Sequence, residues 1–312
     1  TSPNATGVYF ADNPTLYNNG VISGRVEGVR LLNRTESNTI VVGNSNEGVI
    51  EGRTGARLVN SGASGFITLN NSGRITGSVF GAILENKDTV GTGYSYVGNL
   101  GGTIEATADN GVGIAVVAPN AEIINQNVLR TDGTNEWVEV ATITGGNIGI
   151  TATGNLSLNM IGGVIEGDST AISMNAPGSD VSLTLDITAM SDPVTRHYSN
   201  IRGDIVGGTG TDDTVILRGR GTYSGSFVNF EHLQVEADRW SLNRDSTFKT
   251  ININKGMLWN GGRLTGQVLI AQEGALGSNG EIVGQVLNNG RIFAGGVGQT
   301  MTITNGLLWN AP

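Results

Sequence analysis

Apolar and polar positions alternate in short stretches along this chain: Gly65–Leu69 reads GFITL, Asn155–Met160 NLSLNM, Val181–Leu185 VSLTL and Thr250–Asn254 TININ. A period of two predicts half-buried β-strands, with one face turned inward and one outward. No stretch of a dozen residues carries a 3.6-residue apolar period with caps, and the many glycines and β-branched residues oppose long helices. The predicted chain is nearly all β.

Between these stretches one unit recurs: glycine, any residue, an aliphatic, any residue, then glycine or alanine. It occurs at Gly20–Gly24, Gly48–Gly52, Gly73–Gly77, Gly102–Ala106, Gly163–Gly167, Gly262–Gly266, Gly280–Gly284 and Gly290–Ala294. Asparagine often precedes it, as at Asn18 and Asn19, Asn71 and Asn288 and Asn289. Asn and Gly tolerate the left-handed backbone of tight turns, so each unit reads as a turn feeding a short strand. A propeller blade needs a longer repeat, and a sandwich would not carry one turn–strand unit along its whole length. A solenoid fits. Coils of roughly 20 to 28 residues stacked at about 4.8 Å predict an all-β, right-handed parallel β-helix (β-solenoid) of roughly twelve coils.

Composition then narrows the class. The 312 residues include 49 Gly and 33 Asn but only 6 Pro, and no Gly-X-Y period, which excludes collagen. With 38% hydrophobic and 14% charged residues the chain should fold rather than remain disordered. Its net charge is -9 and its lysines are only Lys87, Lys249 and Lys255, so no basic stripe exists for nucleic acid. No apolar run approaches a membrane-spanning length, and the absence of Cys removes disulfides, thiol catalysis and thiolate metal sites. An opening Thr1 reads as a processed product or an excised piece.

The C-terminal third is more distinctive. The acidic, Gly-rich turn at 207–217, the aromatic strand pair Ser226–Val235 and Arg239–Leu242, then Gly274–Gly284, Val286–Ile292 and Gly295–Gly298 follow in order. Over roughly residues 200–300 this series resembles the C-terminal stem of bacterial autotransporter passenger domains, the secreted β-helices of type V secretion. The N-terminal 190 residues share only the general repeat style. The resemblance implies N-terminal coils at 1–195 as the binding part, a stem at 196–312, and a translocator barrel in the full-length precursor that is absent here. Independently of it, Phe230, Leu233 and Val235 alternate so as to point into a coil, which predicts a more apolar and more protease-resistant C-terminal region.

Candidate chemistry is sparse. The segment Gly167–Ala171 (GDSTA) offers Ser169 as a nucleophile, but no Gly-x-Ser-x-Gly elbow occurs and the histidines are only His197 and His232, so a turn role is favoured. Asp212 and Asp213 form the one adjacent acidic pair; their setting matches the start of a Ca²⁺-binding nonapeptide, a candidate metal site, although such sites need stacked copies. Arg202, Gly203 and Asp204 spell the tripeptide that integrins recognise, a candidate binding site, while the flanking Ile201 and Ile205 also fit an ordinary strand. No cofactor fingerprint occurs, because the Gly-rich stretches open no helix.

The expected function is therefore a secreted or surface-displayed passenger, extracellular and outer-membrane anchored or released, without catalytic activity. It would act as an adhesin on host surface or matrix molecules, or on identical passengers in aggregation and biofilm. The alternative is a β-helical lyase or hydrolase acting on polysaccharide, for which clustered outward carboxylates with an arginine would speak. One geometric expectation tests the coil length. Arg263 and Glu281 hold the same place in units 18 residues apart, so they should pair on adjacent coils, whereas Arg291 should lie on another side.

Overall fold

The computed structural model describes residues 5–35, 38–62, 64–87, 93–188, 199–295 and 300–309. No helix occurs among them. The strands form two large parallel sheets and one antiparallel hairpin, Val128–Thr131 with Glu136–Glu139, which is the β-helix that the repeat predicts. The chain divides into two compact units, Thr1–Asn175 with Met190–Gly203, and Ala176–Ala189 with Asp204–Pro312.

One coil shows the plan of the first unit. Gly65–Asn71 forms its first side, pairing with Asn38–Asn44 of the coil before and Tyr94–Leu100 of the coil after. The chain turns after Asn71 into Arg74–Asn86, which bends into two further sides. Residues 74–77 pair with 49–52 and with Thr103–Ala106, and residues 80–86 with 54–60 and with Val112–Val117.

This plan explains the repeat. Its central aliphatics Ile50, Ile75, Ile104 and Ile165 stack fully buried, joined by Ile143 from Ala141–Gly145, a unit without its first glycine and so invisible to the sequence pattern. The closing residues Gly52, Gly77, Ala106, Gly145 and Gly167 form a column at the bend between the second and third sides. A Cβ at Gly77 would run into the carbonyl oxygen of Phe80, so that coil closes its corner around a bare Cα, while the coil of Ala106 accommodates a methyl at the same place in the column.

The asparagines before the repeat have a different role from the one expected. They are not in the left-handed region; among the described non-glycine residues, positive φ occurs at Asp12, Asn13, Asn229 and Asn305. Instead Asn18, Asn71 and Asn288 stand at the ends of their strands with buried side chains, while Asn19 and Asn289 beyond them are exposed. Asn18, Asn44, Asn71, Asn99 and Asn125 form a buried ladder in which each Nδ2 donates to the next Oδ1 at 2.8–2.9 Å. The steps are 26, 27, 28 and 26 residues, the length of the coils that carry the ladder. A second ladder at another corner links Asn33, Asn60 and Asn86 at 2.7 and 2.8 Å. Buried amides are stabilised only when their donors and acceptors are matched, and a stack of identical amides matches itself.

The second unit has a shorter coil. His232 pairs with Thr250, Ser246 with Leu264, Lys255 with Glu273 and Val268 with Val286, each a step of 18. Leu233, Ile251, Val268 and Val286 stack inside, as do Trp240, Leu258 and Leu276. Phe227 lies 4.9 Å from Tyr223, 6.1 Å from Phe230 and 5.9 Å from Phe248 between ring centroids. Phe230, Leu233 and Val235 are buried as the alternation predicts. Trp259 alternates outward, with the Arg239 guanidinium 5.8 Å from its ring centroid. Arg263 and Glu281 are register partners with an ion pair of 3.4 Å, while Arg291 registers with Ala275 on another side. That exposed pair contributes less than about 1 kcal/mol, so it marks register rather than holding the coil together.

Candidate functional site

The first unit presents two outward faces of opposite character. On the sides built by 49–60, Arg74–Asn86 and their neighbours, charges pair across coils. Arg57 lies between Glu85 at 2.6 Å and Glu27 at 3.6 Å, Glu27 also meets Arg30 at 3.6 Å, and Arg74 pairs with Glu105. Each of these carboxylates has a guanidinium against it, which suits a structural ladder better than acid–base chemistry.

The face built by Thr15–Asn18, Asn38–Asn44, Gly65–Asn71, Tyr94–Leu100, Asn120–Gln126 and Asn155–Ile161 is different. Those six strands carry one charged residue, Glu122, and no Lys or Arg. Register sets their outward side chains in three columns. The first runs Thr39, Phe66, Tyr94, Asn120, Asn155; the second Val41, Thr68, Tyr96, Glu122, Ser157; the third Tyr17, Gly43, Asn70, Gly98, Ile124, Asn159.

Aromatic rings lie along this face. Phe66 is 52% exposed and registers directly with Tyr94. A Cβ on Gly98 would sit 3.0 Å from the Tyr96 hydroxyl and 3.2 Å from its Cε1, so Tyr96 reclines along its own strand into the space that the glycine leaves. Tyr17, 79% exposed, leans across to the next coil over its register partner Gly43. The Tyr94 hydroxyl donates to Glu122 Oε2 at 2.5 Å. Burial, that hydrogen bond and the Glu122 charge push the Tyr94 phenol well above its ordinary range, so it stays a donor; burial and Glu122 likewise raise Tyr96. Near this unit's Asn125 the antiparallel hairpin brings out Leu129 and Trp137, both exposed, and its turn is closed by Asp132 accepting from the backbone N–H groups of Asn135 and Thr134.

The tripeptide predicted from sequence lies in the strand Asn200–Val206. Arg202 donates to Glu166 at 3.1 Å within the first unit, Gly203 has φ 110°, and the Asp204 carboxylate accepts the backbone N–H of Ser226 at 3.0 Å within the second. A receptor would have to displace both contacts. Ser169, expected in a turn, lies within the strand Val164–Met174 and donates to Asn147 Oδ1 at 2.6 Å.

In the second unit Asp212 and Asp213 diverge, so the pair does not form one site. Asp213 is fully buried, its Oδ1 accepting the Val181 N–H at 2.8 Å, while its own N–H donates to Glu231 at 2.9 Å. Asp212 is outward, 3.2 Å from His232 Nε2, and His232 Nδ1 lies 2.7 Å from the Thr250 hydroxyl. His232 thus links side chains of three successive coils, a hydrogen-bonded chain whose members, 20 and 18 residues apart, come together only when the coils stack. His197 lies outside the described residues. Among the described residues no group of three or more His, Cys, Asp or Glu is placed to hold a metal ion.

Burial pushes the Asp213 carboxyl up, the Val181 N–H opposes this, and the nearby charges of Glu231 and Asp180 add to it. A carboxyl raised in the folded state holds its proton better there than when unfolded. Its favourable contribution is complete below the unfolded value of 3.8 and is lost as pH rises through the higher folded value. Asp213→Asn should therefore gain stability relative to the parent between pH 4 and pH 7, read by thermal unfolding at both. An equal shift at the two pH values would contradict this assignment.

Compared with known protein families, curated proteins and solved structures, the chain shows no match. Among the described residues no helix is long and apolar enough to cross a membrane, which says nothing of a β-barrel.

Proposed function

We propose that this chain is the passenger part of a bacterial autotransporter, displayed at the cell surface or released, and that it works as an adhesin without a catalytic centre. The observation that carries the reading is the almost uncharged outward face of the first unit, six strands with Glu122 as their one charge. A protein of net charge -9 could cover such a face with acidic residues, and that would favour solubility. Leaving it neutral, with exposed rings, suits contact with another surface. Repeated coils also multiply weak contacts into avidity. The sequence resemblance over residues 200–300 supports the passenger assignment, and the parallel β-helix agrees with it. The precursor would then carry a translocator barrel.

The partners are host surface or matrix molecules, or identical passengers on neighbouring cells. Beads coated with the chain should adhere to matrix-coated surfaces or aggregate with each other, while polysaccharides incubated with it gain no reducing ends. Where copies associate, neutral faces meet against like-charge repulsion, so sedimentation should show more dimer at about 0.5 M salt than at about 0.02 M. Less dimer at high salt would point to charge pairing. Beads that neither adhere nor aggregate would refute the adhesin reading.

A further inference from the structure

We propose that the neutral face of the first unit is a platform for an uncharged saccharide, seated on the rings of Phe66, Tyr94 and Tyr96 with Glu122 and the flanking amides taking its hydroxyls. This names a ligand class for the adhesin reading and rests on it.

The argument begins with ring orientation. A side chain on a strand normally stands up from the sheet. Tyr96 leans over Gly98, with its hydroxyl and Cε1 3.0 and 3.2 Å from where a Cβ would stand, so the half-buried ring covers its own strand rather than standing clear of the sheet. Phe66 and Tyr94 are register neighbours, one coil apart, and Tyr94 and Tyr96 are two residues apart on the same side of one strand. Three rings on adjacent positions make a broad, shallow apolar surface. A pyranose carries C–H groups on its faces and hydroxyls around its rim, so flat rings beneath and hydrogen-bonding groups at the side complement it.

The polar rim is present. A carboxylate has about four acceptor sites, and Tyr94 uses one on Glu122. Asn70 lies beside Gly98, and Asn120 accepts from Asn155 at 3.2 Å in the column that continues from Tyr94. Thr68, on the strand of Phe66, registers with Tyr96 and adds a hydroxyl beside the rings.

Charge selects among ligands that stack on rings. Nucleic acids and sulfated or sialylated glycans need cations, and these six strands supply no Lys or Arg. A purely apolar ligand would leave the amide and hydroxyl columns unmatched. An uncharged, hydroxyl-rich ligand with apolar faces meets both conditions.

The test uses the 312-residue chain and calorimetric titration with neutral hexasaccharides of β1,4-glucose, β1,4-mannose, α1,6-glucose and β1,4-N-acetylglucosamine, with heparin fragments and sialyllactose as charged probes. At least one neutral probe should bind, with affinity changing less than about twofold between about 0.02 and 0.5 M salt. Phe66→Ala and Tyr96→Ala should each weaken it about fivefold or more, and Tyr96→Phe, which keeps the ring, should retain it. Arg74→Ala on the charged face should leave it unchanged. Should either alanine variant unfold, Phe66→Leu and Tyr96→Leu, which keep apolar bulk but no aromatic ring, must weaken binding instead.

The proposal is overturned if no neutral probe binds, if binding survives both alanine substitutions, or if only the charged probes bind and salt abolishes it. Beads that adhere or aggregate while neutral sugars fail to bind would remove this ligand class and leave the adhesin reading. Sugar binding without adhesion or aggregation would do the reverse.

Discussion

Replacing Trp240 with alanine should destabilise the second unit by about 3–5 kcal/mol, the cost of removing a large side chain from a core that cannot collapse around the gap. Trp240 is fully buried, and its indole N–H donates to the Arg218 carbonyl at 2.7 Å. Its ring packs on the register partner Gly221, where an added Cβ would come within 2.8–2.9 Å of three ring atoms. The alanine variant thus loses the packing, leaves a void over the Gly221 backbone and strips the Arg218 carbonyl of a donor. Backbone pairing on both sides, with Gly221 and with Leu258, prevents the strand from moving inward to fill that void. Denaturant unfolding followed by far-ultraviolet circular dichroism reads the change, and limited proteolysis should show cleavage after residue 215 appearing first in the variant. Trp240→Phe keeps most of the volume and should lose less. A shift below about 1 kcal/mol for the alanine variant would mean that the site is not the rigid core position described.

How much of this was legible in the sequence depends on which physical rule each feature obeys. The β-solenoid could be read because glycine at a tight corner and an aliphatic two residues before it are both forced by local geometry, as at Ile75 and Gly77. The 18-residue coil could be read from Gly262 and Gly280, and the Arg263–Glu281 pair follows from it. The unit at Ala141–Gly145 escaped because alanine replaces its first glycine and the hairpin before it breaks the spacing.

The inward asparagines were recognised as punctuation but assigned the wrong physics. Local propensity says that Asn favours turns, and it does not say that the amides of successive coils will stack on one another. That needs the register, which is a non-local quantity. The same limit hid the neutral face. Phe66, Tyr94, Tyr96 and Glu122 are scattered over 57 positions and share a surface only after three coils are laid side by side. Conversely, the motifs most visible as short strings proved the most occupied. Arg202 and Asp204 are held by Glu166 and the Ser226 backbone, and Asp213 is buried with its carboxylate on the Val181 N–H of another coil. A short string shows which groups are present, and the fold decides which of them face solvent.

The ladder itself gives the second large effect. Asn71→Leu should cost about 3 kcal/mol, more than the loss of one ordinary hydrogen bond, because it leaves partners on two coils unsatisfied in a buried setting. Asn71 Nδ2 donates to Asn99 Oδ1 at 2.9 Å, to Gly73 O at 3.1 Å and to Thr103 O at 3.2 Å, while its Oδ1 accepts from Asn44 at 2.8 Å. Leucine has nearly the same size and supplies none of these. Position along the ladder should matter. Asn18 stands at its first rung, donates to Asn44 and retains slight exposure, so Asn18→Leu interrupts one rung where Asn71→Leu interrupts two, and it should cost about half as much. Coupling should matter too. In the double variant Asn71→Leu with Asn99→Leu, the Asn99 acceptor orphaned by the first change no longer exists, and the two leucines meet on adjacent coils. The double variant should therefore be more stable than the sum of the single effects implies, by about 1 kcal/mol or more. Unfolding free energies of the four proteins in one cycle measure this directly. Additive costs, or equal costs at Asn18 and Asn71, would show that each asparagine acts alone through its own turn and that the stack contributes nothing as a stack.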